Sequence, residues 1–249
     1  AQIATEFNSL TDRLQKTEES RRRFVSDASH ELKTPLASIR LLSDSILQTD
    51  QIDEATVREF VGDIGSEAER LTRISEELLR LTKIDSAAPA PSVPVRAAEV
   101  IDRVIRMLSL LAAEKNVTLS CDIKDDAEVL CTEDGLFQIV YNLVENGIKY
   151  NRDGGFVTAT LSRGDGFAAI TVEDNGIGVP EEELAKIFDR FYRVDKARSR
   201  AAGGTGLGLA IVRDTALLHG GSVSAACREG GGTAFTVTLR LAEGGGEES

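Results

Sequence analysis

The segment Phe24-Val-Ser-Asp-Ala-Ser-His30-Glu31-Leu-Lys-Thr34-Pro35-Leu36 sits inside a long heptad-patterned stretch and carries one of two histidines in the chain. Upstream of it, apolar residues recur at Ile3, Phe7, Leu10 and Leu14, the alternating four- and three-residue spacing of a coiled-coil seam. The same phase reaches Phe24 and Ala28 and resumes at Leu32, Leu36, Ile39 and Leu42. His30 lies two residues from Ala28 and two from Leu32. At about 100° per residue it falls opposite the apolar stripe, facing water or a partner.

Two readings of His30 stand side by side. One is a surface histidine without a role. The other is a nucleophile, because a neutral imidazole can attack a phosphoryl group and its charge switches near neutral pH. Glu31 is placed to orient the ring or take its proton, and Thr34, one turn on, brings a hydroxyl to the same side. Pro35 removes a helical N–H and should bend the helix there.

Working outward, residues 1–50 read as one helix. Arg21-Arg22-Arg23 is a solvated basic turn or a contact for an acidic partner. The pattern pauses at Gln48-Thr-Asp-Gln51, and Asp53 is a candidate N-cap for a second helix over about Glu54–Asp85. Its apolar positions Val57, Phe60, Ile64, Leu71, Ile74, Leu78 and Leu81 keep one heptad phase, with Glu67 the polar member. Such a hairpin cannot cover its own apolar face. Pairing with a second copy into a four-helix bundle is the economical solution, which predicts a homodimer.

Residues 87–95 hold three of the five prolines and read as a linker. Beyond it the period turns mixed. Helices are expected over about Ala97–Lys115, from Asp134, near Glu181–Ile187 and over about Leu207–Leu218. Strands are expected near 117–122, 128–131, 156–162, 167–173, 222–227 and 233–241. The tail 243–249, rich in Gly and Glu, reads as disordered.

Four motifs in this second region carry chemistry. Asn142, Asn146 and Lys149 share one face of a helix at i, i+4 and i+7, a polar surface or a ring of amide oxygens suited to Mg²⁺ with phosphates. Asp174-Asn-Gly176-Ile-Gly178-Val-Pro180 follows a strand, where a carboxylate can accept from an adenine amino group. Ile187-Phe188-Asp-Arg190-Phe191-Tyr192-Arg193, followed by Lys196, Arg198 and Arg200, reads as a mobile basic lid or a solvated loop with two core phenylalanines. Gly203-Gly204-Thr205-Gly206-Leu207-Gly208 opens an apolar helix, and such a loop cradles anions. It is neither a Walker A loop nor a Rossmann fingerprint.

Ser29–Leu36 resembles the H-box of sensor histidine kinases. The four later motifs, in this order and spacing, resemble the N, G1, F and G2 boxes of their catalytic domains, which belong to the GHKL ATP-binding superfamily. Ala4–Leu14 looks like the end of a HAMP linker, and the chain starts mid-pattern, as a segment of a longer receptor would. The resemblance implies a multidomain protein, an all-α hairpin forming a dimeric four-helix bundle followed by an α/β sandwich of the Bergerat type. The implied divisions are residues 1–20 as the signalling coiled coil, 21–86 as the dimerisation and phosphotransfer hairpin, 87–95 as the linker, 96–242 as the ATP-binding domain and 243–249 as the tail.

The resemblance further implies His30, Glu31 and Thr34 as catalytic residues, with Thr34 positioning a water for dephosphorylation. It implies that Asn142 and Asn146 help hold Mg²⁺, with Asn146 the more direct ligand, and that Asp174 reads adenine with Gly176 and Gly178. By the same resemblance Lys149, Tyr150, Gly204, Thr205, Gly206, Leu207 and Gly208 are expected to surround ATP. The partners implied are a second copy and the receiver aspartate of a response regulator, and the setting is the cytoplasmic side of a bacterial membrane receptor. Gly147 departs from the alanine usual in the family and should soften the helix by about 1 kcal/mol. His219 matches a structural turn and reads as non-catalytic.

Composition agrees. At 249 residues, one large or two modest domains are expected. A net charge of −12 argues against a nucleic-acid binder. The three cysteines form no C-x-x-C pair and read as reduced thiols, with a Cys121–Cys131 contact between strands as one possibility. No run approaches the roughly 18 apolar residues of a membrane span, so this segment is expected to be soluble. The alternatives are a GHKL ATPase of the chaperone or repair type, which lacks a histidine hairpin upstream, and a scaffold or mainly phosphatase variant.

Overall fold

The computed structural model describes residues 2–48, 52–86, 92–195 and 203–242, in two compact units, Ala1–Leu78 and Leu79–Ser249. The side chains of the expected seam at Ile3, Phe7, Leu10 and Leu14 lie outside the described residues. So do Lys196, Arg198, Arg200 and the tail.

The first unit is built on α1 (Gln2–Gln48) and α2 (Glu54–Ser86), whose last turns enter the second unit. Asp53 caps α2 as expected, its carboxylate accepting from the Thr56 N–H at 2.9 Å and from the Thr56 hydroxyl at 2.6 Å. The helix α1 continues through Pro35 without a break. Pro35 is buried while Leu36, expected on the inner row, is 54% exposed. On α2 Ile74 is fully buried, and one charged side chain joins it, Arg70 at 6% exposure. Val25, Leu41, Leu47 and Val61 stay exposed, so the single hairpin leaves apolar surface uncovered.

The second unit is a layered α/β fold. Five strands, β2 (Thr118–Ile123), β4 (Phe156–Arg163), β5 (Phe167–Asp174), β6 (Ser222–Cys227) and β7 (Thr233–Arg240), form one sheet in the order β2-β4-β5-β7-β6. Only β2–β4 is parallel. Burial alternates strictly along β4, β5 and β7, so Val157, Ala159 and Leu161, Ile170 and Val172, and Phe235, Val237 and Leu239 line one face. The helices α3 (Ala97–Glu114), α4 (Glu133–Lys149) and α5 (Gly208–Leu218) supply the other half of that core, through Ile101 and Val104, Leu136 and Leu143, and Val212 and Ala216.

A short strand was hidden in the proline-rich segment. Val93–Arg96, within the segment expected as a linker, forms β1 and pairs antiparallel with β3 (Glu128–Cys131). Pro94 is tolerated because a two-stranded pair leaves it on an edge. The α4 helix starts at Glu133 under a Thr132 cap, whose hydroxyl accepts from Gly135 N–H at 3.1 Å, rather than at Asp134. Over 181–187 the only regular element is a 3₁₀ turn at Glu181–Glu183. Cys131 is buried on β3 while Cys121 is exposed on β2, a strand paired to β4, so no disulfide joins them. Burial raises the Cys131 thiol to about 11, which makes it an inert core group.

Candidate functional site

In the first unit His30 is exposed on α1, as its place opposite the apolar stripe requires. Glu31 points across to α2, where its Oε2 accepts from Arg70 Nη2 at 3.0 Å. Arg70 also lies 3.7 Å from Glu67, so two carboxylates compensate a guanidinium whose side chain is only 7% exposed. Glu31 is therefore a shared carboxylate rather than one committed to the His30 ring. Arg70 was missed because a charged side chain in a helix reads as solvent-facing, and the two carboxylates that compensate it lie on other turns and on the other helix. The break in the apolar row at Glu67, one turn before it, was the available signal. Thr34 donates its hydroxyl to the His30 carbonyl at 3.2 Å, the usual helical back-bond.

In the second unit the sheet delivers Asp174 to the end of β5, 7% exposed. One carboxylate oxygen accepts from Gly176 N–H at 2.8 Å, and the carboxylate also takes the Thr233 N–H. Burial nevertheless raises its pKa, the backbone donors and nearby Arg228 offsetting part of the effect. Gly176 packs against the end of α4: a Cβ there would overlap the Tyr150 carbonyl and lie 3.0 Å from Asn151 Cα, and Ile177 N–H donates to that carbonyl at 3.1 Å. Gly232, at φ 94°, backs directly onto the Asp174–Asn175 backbone. Gly232 and the buried Thr233 are parts of the site that sequence reasoning passed over, although three successive glycines at 230–232 marked the turn.

On α4, Asn142 is buried. Its amide donates to the Gln138 carbonyl at 2.9 Å, and its oxygen faces Gly208, where a Cβ would lie 3.0 Å away. Glycine at 208 thus lets α5 begin against α4. Asn146 and Lys149 are half-buried, and Lys149 pairs with Glu145 at 2.9 Å. Tyr150 caps the helix, its N–H bonded to the Asn146 carbonyl. Gly147 has a packing reason: a Cβ would lie 3.0 Å from both methyls of Val157.

The glycine loop is stitched to the segment before it. Phe191, at φ 63°, donates its N–H to the Gly206 carbonyl at 2.8 Å, and Arg193 donates to the Thr205 carbonyl at 2.7 Å. Thr205 is buried and accepts from Leu207 N–H at 3.2 Å. Leu207 is fully buried and its N–H is bonded to the Thr205 hydroxyl, so it anchors the loop. Gly204 is half-buried. Phe188 is a core residue, packed edge-on to Phe235 at 6.4 Å. His219 is buried between Ser92 and Thr132, at 3.2 and 3.4 Å, a structural pin as expected.

The second unit thus brings Asp174, Gly176 and Tyr150 together, sets Gly178 against Gly232, and joins Asn142 to the start of the glycine-loop helix. Among the described residues no group of three or more His, Cys, Asp or Glu side chains could hold a metal. Neutral amides bind Mg²⁺ weakly alone, so this donor set fits a cation that arrives with phosphate oxygens.

The chain matches two family profiles: "His Kinase A (phospho-acceptor) domain" over residues 20–87, and "Histidine kinase-, DNA gyrase B-, and HSP90-like ATPase" over residues 131–243. The sensor histidine kinase WalK of Bacillus subtilis is 35% identical over 238 residues, which is 92% of this chain and 38% of WalK. The chain therefore spans well under half the length of that relative. The mycobacterial sensor histidine kinase MprB superposes with a TM-score of 0.54 at 30% identity, over 60% of this chain and 97% of that structure. Full-length ShkA in complex with AMPPNP superposes with a TM-score of 0.65 at 25% identity, over 89% of this chain and 46% of ShkA. With both profiles falling on the two units in the order of the boxes, the chain belongs to the sensor histidine kinases and comprises the core of one.

Proposed function

We propose that this core autophosphorylates His30 from ATP and passes the phosphoryl group to an aspartate of a response regulator. The observation that carries the reading is that α4 touches both motifs, its end packing against Gly176 beside the buried Asp174 and its Asn142 facing Gly208 at the start of the glycine-loop helix, while ShkA, solved in complex with AMPPNP, has a similar fold. Asp174 accepts from the adenine amino group. Lys149 and the backbone of Gly204, Thr205, Gly206 and Gly208 face the phosphates. Asn146, with Asn142 one turn before it on α4, would hold Mg²⁺, which would supply charge neutralisation on the phosphate oxygens.

In the transfer a ring nitrogen of His30 bonds to the γ-phosphorus while the bond to the β–γ bridging oxygen breaks, releasing ADP. The proton on the other ring nitrogen passes to solvent or to Glu31, whose carboxylate Arg70 holds in place. The exposed apolar residues Val25, Leu41, Leu47 and Val61 support pairing with a second copy into a four-helix bundle. Thr34 is the residue offered to a dephosphorylating water. Among the described residues no helix is long and apolar enough to cross a membrane. The kinship with sensor kinases supports attachment to the cytoplasmic side of a membrane through parts outside this chain.

The test is a pulse and chase. The protein is loaded with γ-labelled ATP and Mg²⁺, then mixed with receiver domains and excess unlabelled ATP. Label moving from the kinase to a receiver is the expected result. Continuous phosphate release with the protein never labelled would instead identify a free ATPase.

A further inference from the structure

The second unit begins inside α2, so it includes Asp85. Asp85 grips Arg190 in a two-bond fork, Nη1 to Oδ2 at 2.9 Å and Nη2 to Oδ1 at 2.7 Å. Nη2 also reaches Asp214 Oδ2 on α5 at 2.8 Å, and Asp214 accepts from Arg213 Nε at 3.0 Å. The side chains of Arg190, Asp214 and Asp85 are 22%, 13% and 50% exposed, against 81% and 88% for a solvated helix pair such as Arg58–Glu54. A fork of this kind fixes the plane of the guanidinium, not only its charge.

The residue after Arg190 is the strained one. Phe191 sits at φ 63°, a conformation a non-glycine residue keeps only when its surroundings enforce it. Its N–H holds the Gly206 carbonyl, and Arg193 holds Thr205. Arg190 is thus the anchored end of a short segment whose other end shapes the glycine loop. Asp214 fixes one edge of the guanidinium, and Asp85 supplies the second contact that stops it turning.

We propose that Asp85 is a positioning residue for the nucleotide site: by fixing Arg190 it holds the Phe191–Gly206 cross-link and keeps the glycine loop in its phosphate-receiving form. The inference rests on the reading of that loop as the phosphate cradle.

The test uses the full chain and Asp85→Asn, which keeps the shape and loses the charge. Calorimetric titration with ATP and with adenosine is combined with KM and kcat for autophosphorylation. ATP binding is expected to weaken, and KM to rise, by about five- to tenfold, while adenosine binding and kcat change by less than about twofold. Asp85→Glu is expected to restore most of the loss. Arg190→Lys, which keeps charge without the fork, is expected to reproduce the Asp85→Asn pattern and serves if that variant folds poorly. Unchanged ATP binding in both variants, or equal weakening of ATP and adenosine, would overturn the proposal. Asp174→Asn separates the two levels: it should weaken both ligands, and if it weakens neither, the reading of the site itself fails.

Discussion

Gly206 and Gly166 share one backbone conformation, with φ of 78° and 77°, but sit in opposite surroundings. A Cβ on Gly166 meets nothing within 4 Å, whereas one on Gly206 would lie 2.9, 3.0 and 3.1 Å from the carbonyl carbon, Cα and oxygen of Phe191. Those are backbone atoms of a residue already strained and bonded to Gly206, so they have little room to yield. Alanine at either site carries the left-handed cost of about 1–2 kcal/mol. At Gly206 overpacking adds about 1–3 kcal/mol. For a unit of this size that difference places the melting temperature of Gly206→Ala about 3–10 °C below that of Gly166→Ala. Thermal unfolding followed by circular dichroism, with and without ATP, reads both effects. Nucleotide should stabilise Gly166→Ala as it does the parent, and Gly206→Ala much less. Equal melting temperatures for the two variants would refute the cross-link as a structural constraint on the loop.

Three further outcomes are expected. Gly62 and Gly65 lie mid-helix in α2 with nothing within 4 Å, so alanine at each should stabilise the hairpin by about 1 kcal/mol in urea unfolding; destabilisation would show that a second copy occupies that surface. Glu31→Ala leaves the buried Arg70 with only Glu67 at 3.7 Å and should cost about 3 kcal/mol, more than Arg70→Met, and the reverse order would contradict the pairing. Burial holds the His219 imidazole below the ordinary histidine value, so the fold favours the neutral ring. That stabilisation is complete above the unfolded-state value of about 6.5 and is lost as pH falls through the lower folded-state value. The second unit's melting temperature should therefore drop between about pH 7 and 5, and His219→Gln should flatten the profile; an unchanged slope would remove His219 as the cause.

Periodicity made the long elements legible. The heptad row in α2, and the alternation in β4, β5 and β7, each follow from burying one face, which a single chain reveals, whereas in α1 Leu36 leaves its row for the surface. His30 was legible for the same reason, since a polar residue opposite an apolar stripe must face outward. What stayed hidden depends on partners distant in sequence. The strand Val93–Arg96 exists only through β3, and its proline masked it. Arg70 is buried only because Glu31 and Glu67 compensate it. Leu207 looks like a loop residue, yet the Thr205 bond and its buried side chain turn it inward. Gly147, seen along the chain, reads as a weak point. Against Val157 it is the residue that fits.

The central claim is that His30 receives the γ-phosphoryl group of ATP. It is tested most directly by incubating the parent chain, His30→Ala and Asn146→Ala with γ-labelled ATP and Mg²⁺, then treating the product with acid and with base. The account predicts an acid-labile, base-stable label on the parent and none on either variant. A label that persists on His30→Ala would place the acceptor elsewhere and contradict it.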